Sequence, residues 1–176
     1  HDALPISPTM PAKSSRPVKV YCGHAQLRFT RPAVAAAIHA LDAAAAPATD
    51  CNRGTWRLPA GEMSIAFLTD AALARLHGDF MDDPTTTDVI TFPAAAAGHD
   101  QAGEVCISVD TARAYAAKHD RPFAEELTLY LVHGYLHLCG YDDRTPVTRR
   151  QMRGAERQAI AALRAARKMP AFALGS

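Results

Sequence analysis

Residues 18–29 alternate apolar and polar side chains well enough to predict a first strand. Pro32 then stands where a helix can open, and AVAAAIHALDAAAA continues as a strong helix former. Residues 48–59 read as a loop, and EMSIAFL at 62–68 predicts a second strand. Thr69 or Asp70 can cap a helix that runs through Leu76 or beyond. The polar segment 82–87 leads into DVITF at 88–92, a short β-branched third strand. A small flexible connection separates it from EVCIS at 104–108, the fourth strand. Three helices follow, at 109–119, 123–138 and 146–168; Arg121-Pro122 breaks the first and Gly140 stops the long apolar second. The pattern predicts one α+β domain, a small mixed four-stranded sheet packed with about five helices.

Composition agrees with that reading and narrows it. A chain of 176 residues that is 48% hydrophobic and 21% charged is a folding globular domain rather than a disordered segment. No apolar run approaches a membrane span, so a cytoplasmic location without membrane attachment is expected. Cys22, Cys51, Cys106 and Cys139 form no CxxC pair, which fits reduced thiols in the same compartment. Residues 1–17 hold four prolines and no apolar period, and are expected to be a disordered or non-native tail. His1 to Ile6 also back-translates, by one permitted codon choice, to the end of a common sequencing adapter. The expected domain is 18–170, with 171–176 as a second tail.

The net charge of +1 hides an asymmetry: residues 144–176 carry 8 Lys/Arg against 1 Asp/Glu, whereas residues 1–143 carry 11 against 17. An anionic partner for the C-terminal end is expected. In a helix over 146–168, Arg149, Arg150, Arg153, Arg157, Arg164, Arg167 and Lys168 fall within an arc of about 100°. Packing explains a two-sided helix but not a charged face of one sign. An arginine-rich genome is the bland source of that bias, and a phosphate-contacting stripe is the functional one.

The chemistry concentrates in HGYLHLCGYDD, residues 133–143. His133 and His137 lie one helical turn apart and project from the same face, where two imidazoles can share one divalent ion. Gly140 ends the helix, and the turn after it can return Asp143 as an oxygen ligand. The offsets from His133 (+4, +7 for the glycine, +10 for the third ligand) are those of the elongated metzincin-type motif. A bare HxxxH pair arises easily by chance; the matched glycine and third ligand move the balance to a metal helix. Three protein ligands leave a position open for water, as in a catalytic site. A zinc peptidase carries its general base directly after the first histidine, and here that position is Gly134.

These residues resemble the YbeY family, whose HGxLHLxGYDH signature is close to the segment above. TTTDVITFP (85–93) is similar to the family's PTDVLSFP, and GEVCISVDTA (103–112) to its GDIxIS segment. Glu125 and Leu127 precede the clasp as the family's "EL" does, and Met152 and Glu156 fit its last helix, so the resemblance covers roughly 68–156. It implies a single-strand-specific, metal-dependent endoribonuclease that matures the 3′ end of 16S rRNA and serves ribosome quality control. The implied partners are rRNA, the small ribosomal subunit and a ribosome-associated GTPase. The implied ligands are His133 and His137, with Asp143 where the family has a third histidine, holding one zinc per chain. Two histidines and a carboxylate also suit iron or manganese. Arg149, Arg153 and Arg157 are the expected RNA contacts.

The family's arginine ahead of the PTDV segment is replaced by Phe80-Met81, and methionine cannot hold a phosphate. Arg75 and Arg113 are the candidates to stand in for it. Asp142 and Glu104, the carboxylates nearest the motifs, are candidates for orienting a histidine or moving a proton; their plainer roles are a turn support and a strand residue. Asp82 and Asp83 read as a solvated acidic loop, and Cys139 as a small buried residue off the ligand face. The alternative functions are a non-catalytic zinc-containing assembly factor that binds rRNA, favoured by Met81, and a zinc metalloprotease, disfavoured by Gly134.

Overall fold

The computed structural model describes residues 15–45, 56–81, 87–94 and 100–176. The expectations for residues 1–14, Cys51, Asp82 and Asp83 lie outside the described residues, as do the side chains of Phe80 and Met81. Four strands form one sheet in the order β1 (Val18–Cys22), β3 (Glu62–Leu68), β5 (Gln101–Ser108), β4 (Val89–Pro93). The first three run parallel, and β4 closes the edge antiparallel to β5. Five helices pack around it: α1 (Arg31–Ala44), α2 (Asp70–Met81), α3 (Val109–Lys118), α4 (Phe123–Leu138) and α5 (Pro146–Ala165). The mixed four-stranded sheet and five helices expected from the pattern are present.

Strand alternation divides the core in two. Met63, Ile65 and Phe67 of β3 and Val105 and Ile107 of β5 join the large cluster with α1, α4 and α5. The intervening Ala66, Leu68 and Cys106 join a smaller cluster with Leu73 of α2. A side chain's place along a strand thus decides whether it lies on the α4 face or the α2 face. Both α1 and α5 bury one stripe at helical spacing: Val34, Ala37, Ile38 and Leu41 on α1, Met152, Ala155, Ala159 and Leu163 on α5. Thr145 opens α5 with a reciprocal cap to Thr148, and Pro146 occupies the first turn, where its missing N–H costs nothing.

Four boundaries differ from expectation: α5 ends at Ala165 rather than 168, so Arg167 and Lys168 lie beyond the helix, and three others differ through tertiary pairing or packing. The strand expected over 18–29 stops at Cys22; the chain turns, and a two-residue β2 (Leu27–Arg28) follows. β2 pairs with β6 (Ala173–Leu174), so residues 171–176 are not a tail. Phe172 anchors them, buried against Phe67 and Phe29 with ring centroids 5.2 and 5.9 Å away. β5 begins at Gln101 rather than 104: Gln101 pairs with Glu62 across a register shift, and Gly103, at φ +136°, lies against the Phe92 carbonyl and Leu138 with room for no side chain.

Candidate metal centre

α4 is the spine of the site. Most of its length is buried, and it ends in a Schellman turn: Tyr141 N–H donates to the Leu136 carbonyl (3.1 Å) and Gly140 N–H to that of His137 (3.0 Å). Gly140 supplies the required positive φ, +97°. The reversal returns Asp143 to the face bearing His133 and His137. His133 Nε2 and His137 Nε2 stand 3.0 Å apart; Asp143 Oδ2 is 3.4 Å from the first and Oδ1 3.6 Å from the second. A tetrahedral ion with ligands at about 2.0–2.1 Å needs ligand atoms roughly 3.3 Å apart; the two nitrogens stand near that spacing, and one ligand atom from each of the three residues lies within 4.8 Å of the others.

The outer nitrogens settle which atoms face inward. His137 Nδ1 lies 3.0 Å from the Tyr141 carbonyl, which can only accept, so this nitrogen carries the proton. His133 Nδ1 lies 2.6 Å from Glu156 Oε1 on α5, a charge-assisted donor to a carboxylate. In the neutral rings both Nε2 atoms are then lone pairs pointed at one another beside a carboxylate. A divalent cation, or a proton, relieves that repulsion, and the donor set therefore fits a metal. The His133 pKa reports the same field: burial disfavours its charge, yet the Glu156 hydrogen bond and the charges of Glu156, Asp143 and Asp88 outweigh burial and raise the pKa.

Gly134 answers a separate question. A Cβ there would sit 2.3 Å from Val105 Cγ1 and 3.1 Å from Val89 Cγ1, so α4 meets the sheet at this residue with no space for any side chain. The position that holds a peptidase's glutamate is a packing contact here.

A cleft of about 550 Å³ runs from His133 and Asp143 between α3, α4 and α5, and also takes in Asp88, Tyr115, Glu126, Tyr130 and Glu156. Arg149 and Arg153 line it; Arg157, on the same exposed helix face, is not part of the lining. Arg75 and Arg113 do not line the cleft, and Arg113 reaches Gln26 instead, 3.3 Å away. Glu104 alternates with Val105, which faces α4, so its side chain lies on the opposite face of the sheet, beside Cys106 Sγ. Its candidacy for proton transfer is thereby corrected. Asp142 is half exposed, pairs with Arg144 at 3.5 Å and is not among the cleft residues, which leaves it as a turn residue. Cys139 is the C-cap of α4, its thiol pushed up to about 12, first by burial. Reading the sequence missed Glu156 as a partner of His133. The available signal was that it is the one acidic residue among the eight cations of 144–176.

Comparison with known proteins bears on the same segments. A family model described as Endoribonuclease YbeY matches residues 25–164. Endoribonuclease YbeY of Chlamydia abortus is 38% identical over 121 residues, 65% of this chain and 77% of that protein. Its namesake from Porphyromonas gingivalis is 38% identical over 104 residues, 59% of this chain and 68% of that one. The solution structure of TM1509 from Thermotoga maritima superposes with a TM-score of 0.52 over 86% of this chain and 94% of its own, at 16% identity, a likeness of fold.

Proposed function

The chain belongs to the YbeY endoribonuclease family, and from that membership we propose that it is a metal-dependent endoribonuclease acting on single-stranded RNA. The proposed biological role is maturation of the 3′ end of 16S rRNA and ribosome quality control in the cytoplasm, with rRNA, the small subunit and a ribosome-associated GTPase as partners. His133, His137 and Asp143 are the proposed ligands of one zinc ion per chain. The observation that carries the reading is the meeting of two imidazole lone pairs and a carboxylate at one end of a cleft that two arginines line.

When bound there, a divalent ion supplies Lewis-acid polarisation of a phosphodiester and a more acidic water. The chain's own residues supply orientation and charge. Glu156 and the Tyr141 carbonyl hold the two rings with Nε2 inward, which fixes the tautomers without help from the ion. Arg149 and Arg153 offer guanidinium groups to the RNA backbone and its charge. They are cleft cations in a chain with methionine at the family's arginine position, so phosphate binding is assigned to α5. Asp143 makes the ligand set more negative than three histidines and widens the acceptable metals to iron and manganese.

Among the described residues no helix is long and apolar enough to cross a membrane. Met81 favours one second reading, an assembly factor that binds rRNA and holds metal without cutting. The test is incubation of a single-stranded 16S rRNA 3′-end fragment with the protein before and after chelation, then after zinc is restored. Cleavage that disappears and returns supports the nuclease; RNA binding with no cleavage in any arm supports the assembly factor.

A further inference from the structure

The cleft is longer than a metal site needs, and it reaches carboxylates well away from the candidate ligands. Glu126 and His133 lie seven residues apart on one face of α4, about 10 Å along the helix axis. Arg149 and Arg153 are cations of its α5 wall; Asp143 and Glu156 are engaged with His133, whereas Asp88 and Glu126 are carboxylates lining the cleft outside that cluster. A phosphate is attracted to the arginines and repelled by the carboxylates, so an RNA strand lying here turns a neutral, donor-bearing group toward Glu126. We infer that the Glu126 end of the cleft is a nucleobase subsite that selects guanine. The inference rests on the endoribonuclease reading and names the base its substrate presents.

Three features support it. Glu126 is 4% exposed yet lines the cleft, and its cation Arg121 stands 3.7 Å away and half exposed, so the carboxylate retains accepting capacity. Burial raises the Glu126 pKa, Arg121 and His119 oppose that rise, and the nearby charge of Asp88 adds to it. Both acids are relieved by donors, and guanine presents N1–H and N2–H side by side, the pair a carboxylate accepts with both oxygens. Adenine and cytosine place an acceptor next to their amine, and uracil flanks its single N–H with two carbonyls. Tyr115 completes the site: it is 40% exposed, lines the cleft, packs against the His119 ring at 4.0 Å and has the Arg121 guanidinium 6.0 Å from its ring centre, an aromatic and cationic group of the kind on which unpaired bases stack.

The test uses the four ribonucleoside 5′-monophosphates, which contain no internucleotide bond to cut, titrated into the intact protein by calorimetry. Guanosine monophosphate is expected to bind more tightly than uridine monophosphate by roughly five- to 150-fold, the discrimination of one bidentate base contact. Glu126→Gln should bring that ratio toward one with uridine monophosphate unaffected. Inosine monophosphate, which lacks the N2 amine, should lose most of the advantage on the unaltered protein, so the test does not depend on the variant folding. Equal affinities for the four nucleotides, equal affinities for the guanosine and inosine nucleotides, or a preference that survives Glu126→Gln would each overturn the subsite. RNA cleavage without base preference overturns the subsite alone. Guanine selection in a protein that cuts no RNA overturns the nuclease reading and leaves the subsite standing.

Discussion

Glu156→Gln is the most informative single change. The Glu156 carboxylate lies 2.6 Å from His133 Nδ1, with the two side chains 16% and 22% exposed, so the bond is short, charged and partly shielded from water. Glutamine keeps the shape and can still accept, but through a neutral oxygen. His133 then loses the charge that makes its Nε2 a stronger donor, and the ring's anchor on α5 is weakened to a neutral hydrogen bond. Removal of such an outer partner weakens metal binding by about 10- to 100-fold, or roughly 1.4–2.8 kcal/mol. A zinc titration against a competing chromophoric chelator measures this directly. It should be run near pH 8, because the raised His133 pKa lets protons compete with metal at lower pH. As pH falls, the gap between the two proteins should narrow, since glutamine also removes the Glu156 contributions that hold the proton. Equal zinc affinity at pH 8 in a normally folded variant would show that His133 does not bind metal through Nε2, and the site as drawn would be wrong.

Other consequences can be read from the same contacts. Gly134→Ala gains about 1 kcal/mol of helix propensity, but its Cβ would meet Val105 at 2.3 Å. Overpacking of about 1–3 kcal/mol should win, so urea denaturation should show net destabilisation; a more stable variant would refute the packing account. Replacing Arg149 and Arg153 together by alanine should make the slope of log affinity against log salt for single-stranded RNA shallower by about 1.4, or roughly 0.7 for each phosphate no longer neutralised. Asp110 accepts from Asp70 N–H (2.9 Å) and pairs with His24 Nε2 (3.1 Å). Burial alone would raise its pKa, but these partners outweigh burial and lower it from the ordinary 3.8. A depressed carboxyl pKa contributes stability above the unfolded value and loses it as pH falls through the folded one. Asp110→Asn should therefore cost about 1–3 kcal/mol near neutrality, with the difference from the parent shrinking below pH 3.8 in acid-denaturation curves.

How far the sequence reached depends on the range of each contact. The meeting of His133, His137 and Asp143 was legible because they and Gly140 lie within one helix end, where spacing fixes geometry. The sheet and helices were legible from periodicity. Glu156 was not, because its bond to His133 spans 23 residues and depends on how α5 crosses α4. Residues 173–174 pair through only two positions, too few for a period to register, and their anchor Phe172 finds Phe67 across most of the chain. The Glu104 reading failed on parity: Val105 faces α4, so a neighbour one residue away must face α2. Whether Arg75 or Arg113 could replace the family's arginine depended on tertiary placement, and the structure puts Arg149 and Arg153 in the cleft instead.

The claim at the centre is that His133, His137 and Asp143 hold a metal on which RNA cleavage depends. The direct measurement pairs metal content by mass spectrometry with single-stranded rRNA cleavage, for the parent protein and His137→Ala prepared side by side. The account predicts about one metal ion per parent chain and cleavage, with both lost in the variant and RNA binding through α5 retained. Cleavage that persists in a metal-free His137→Ala protein would contradict it.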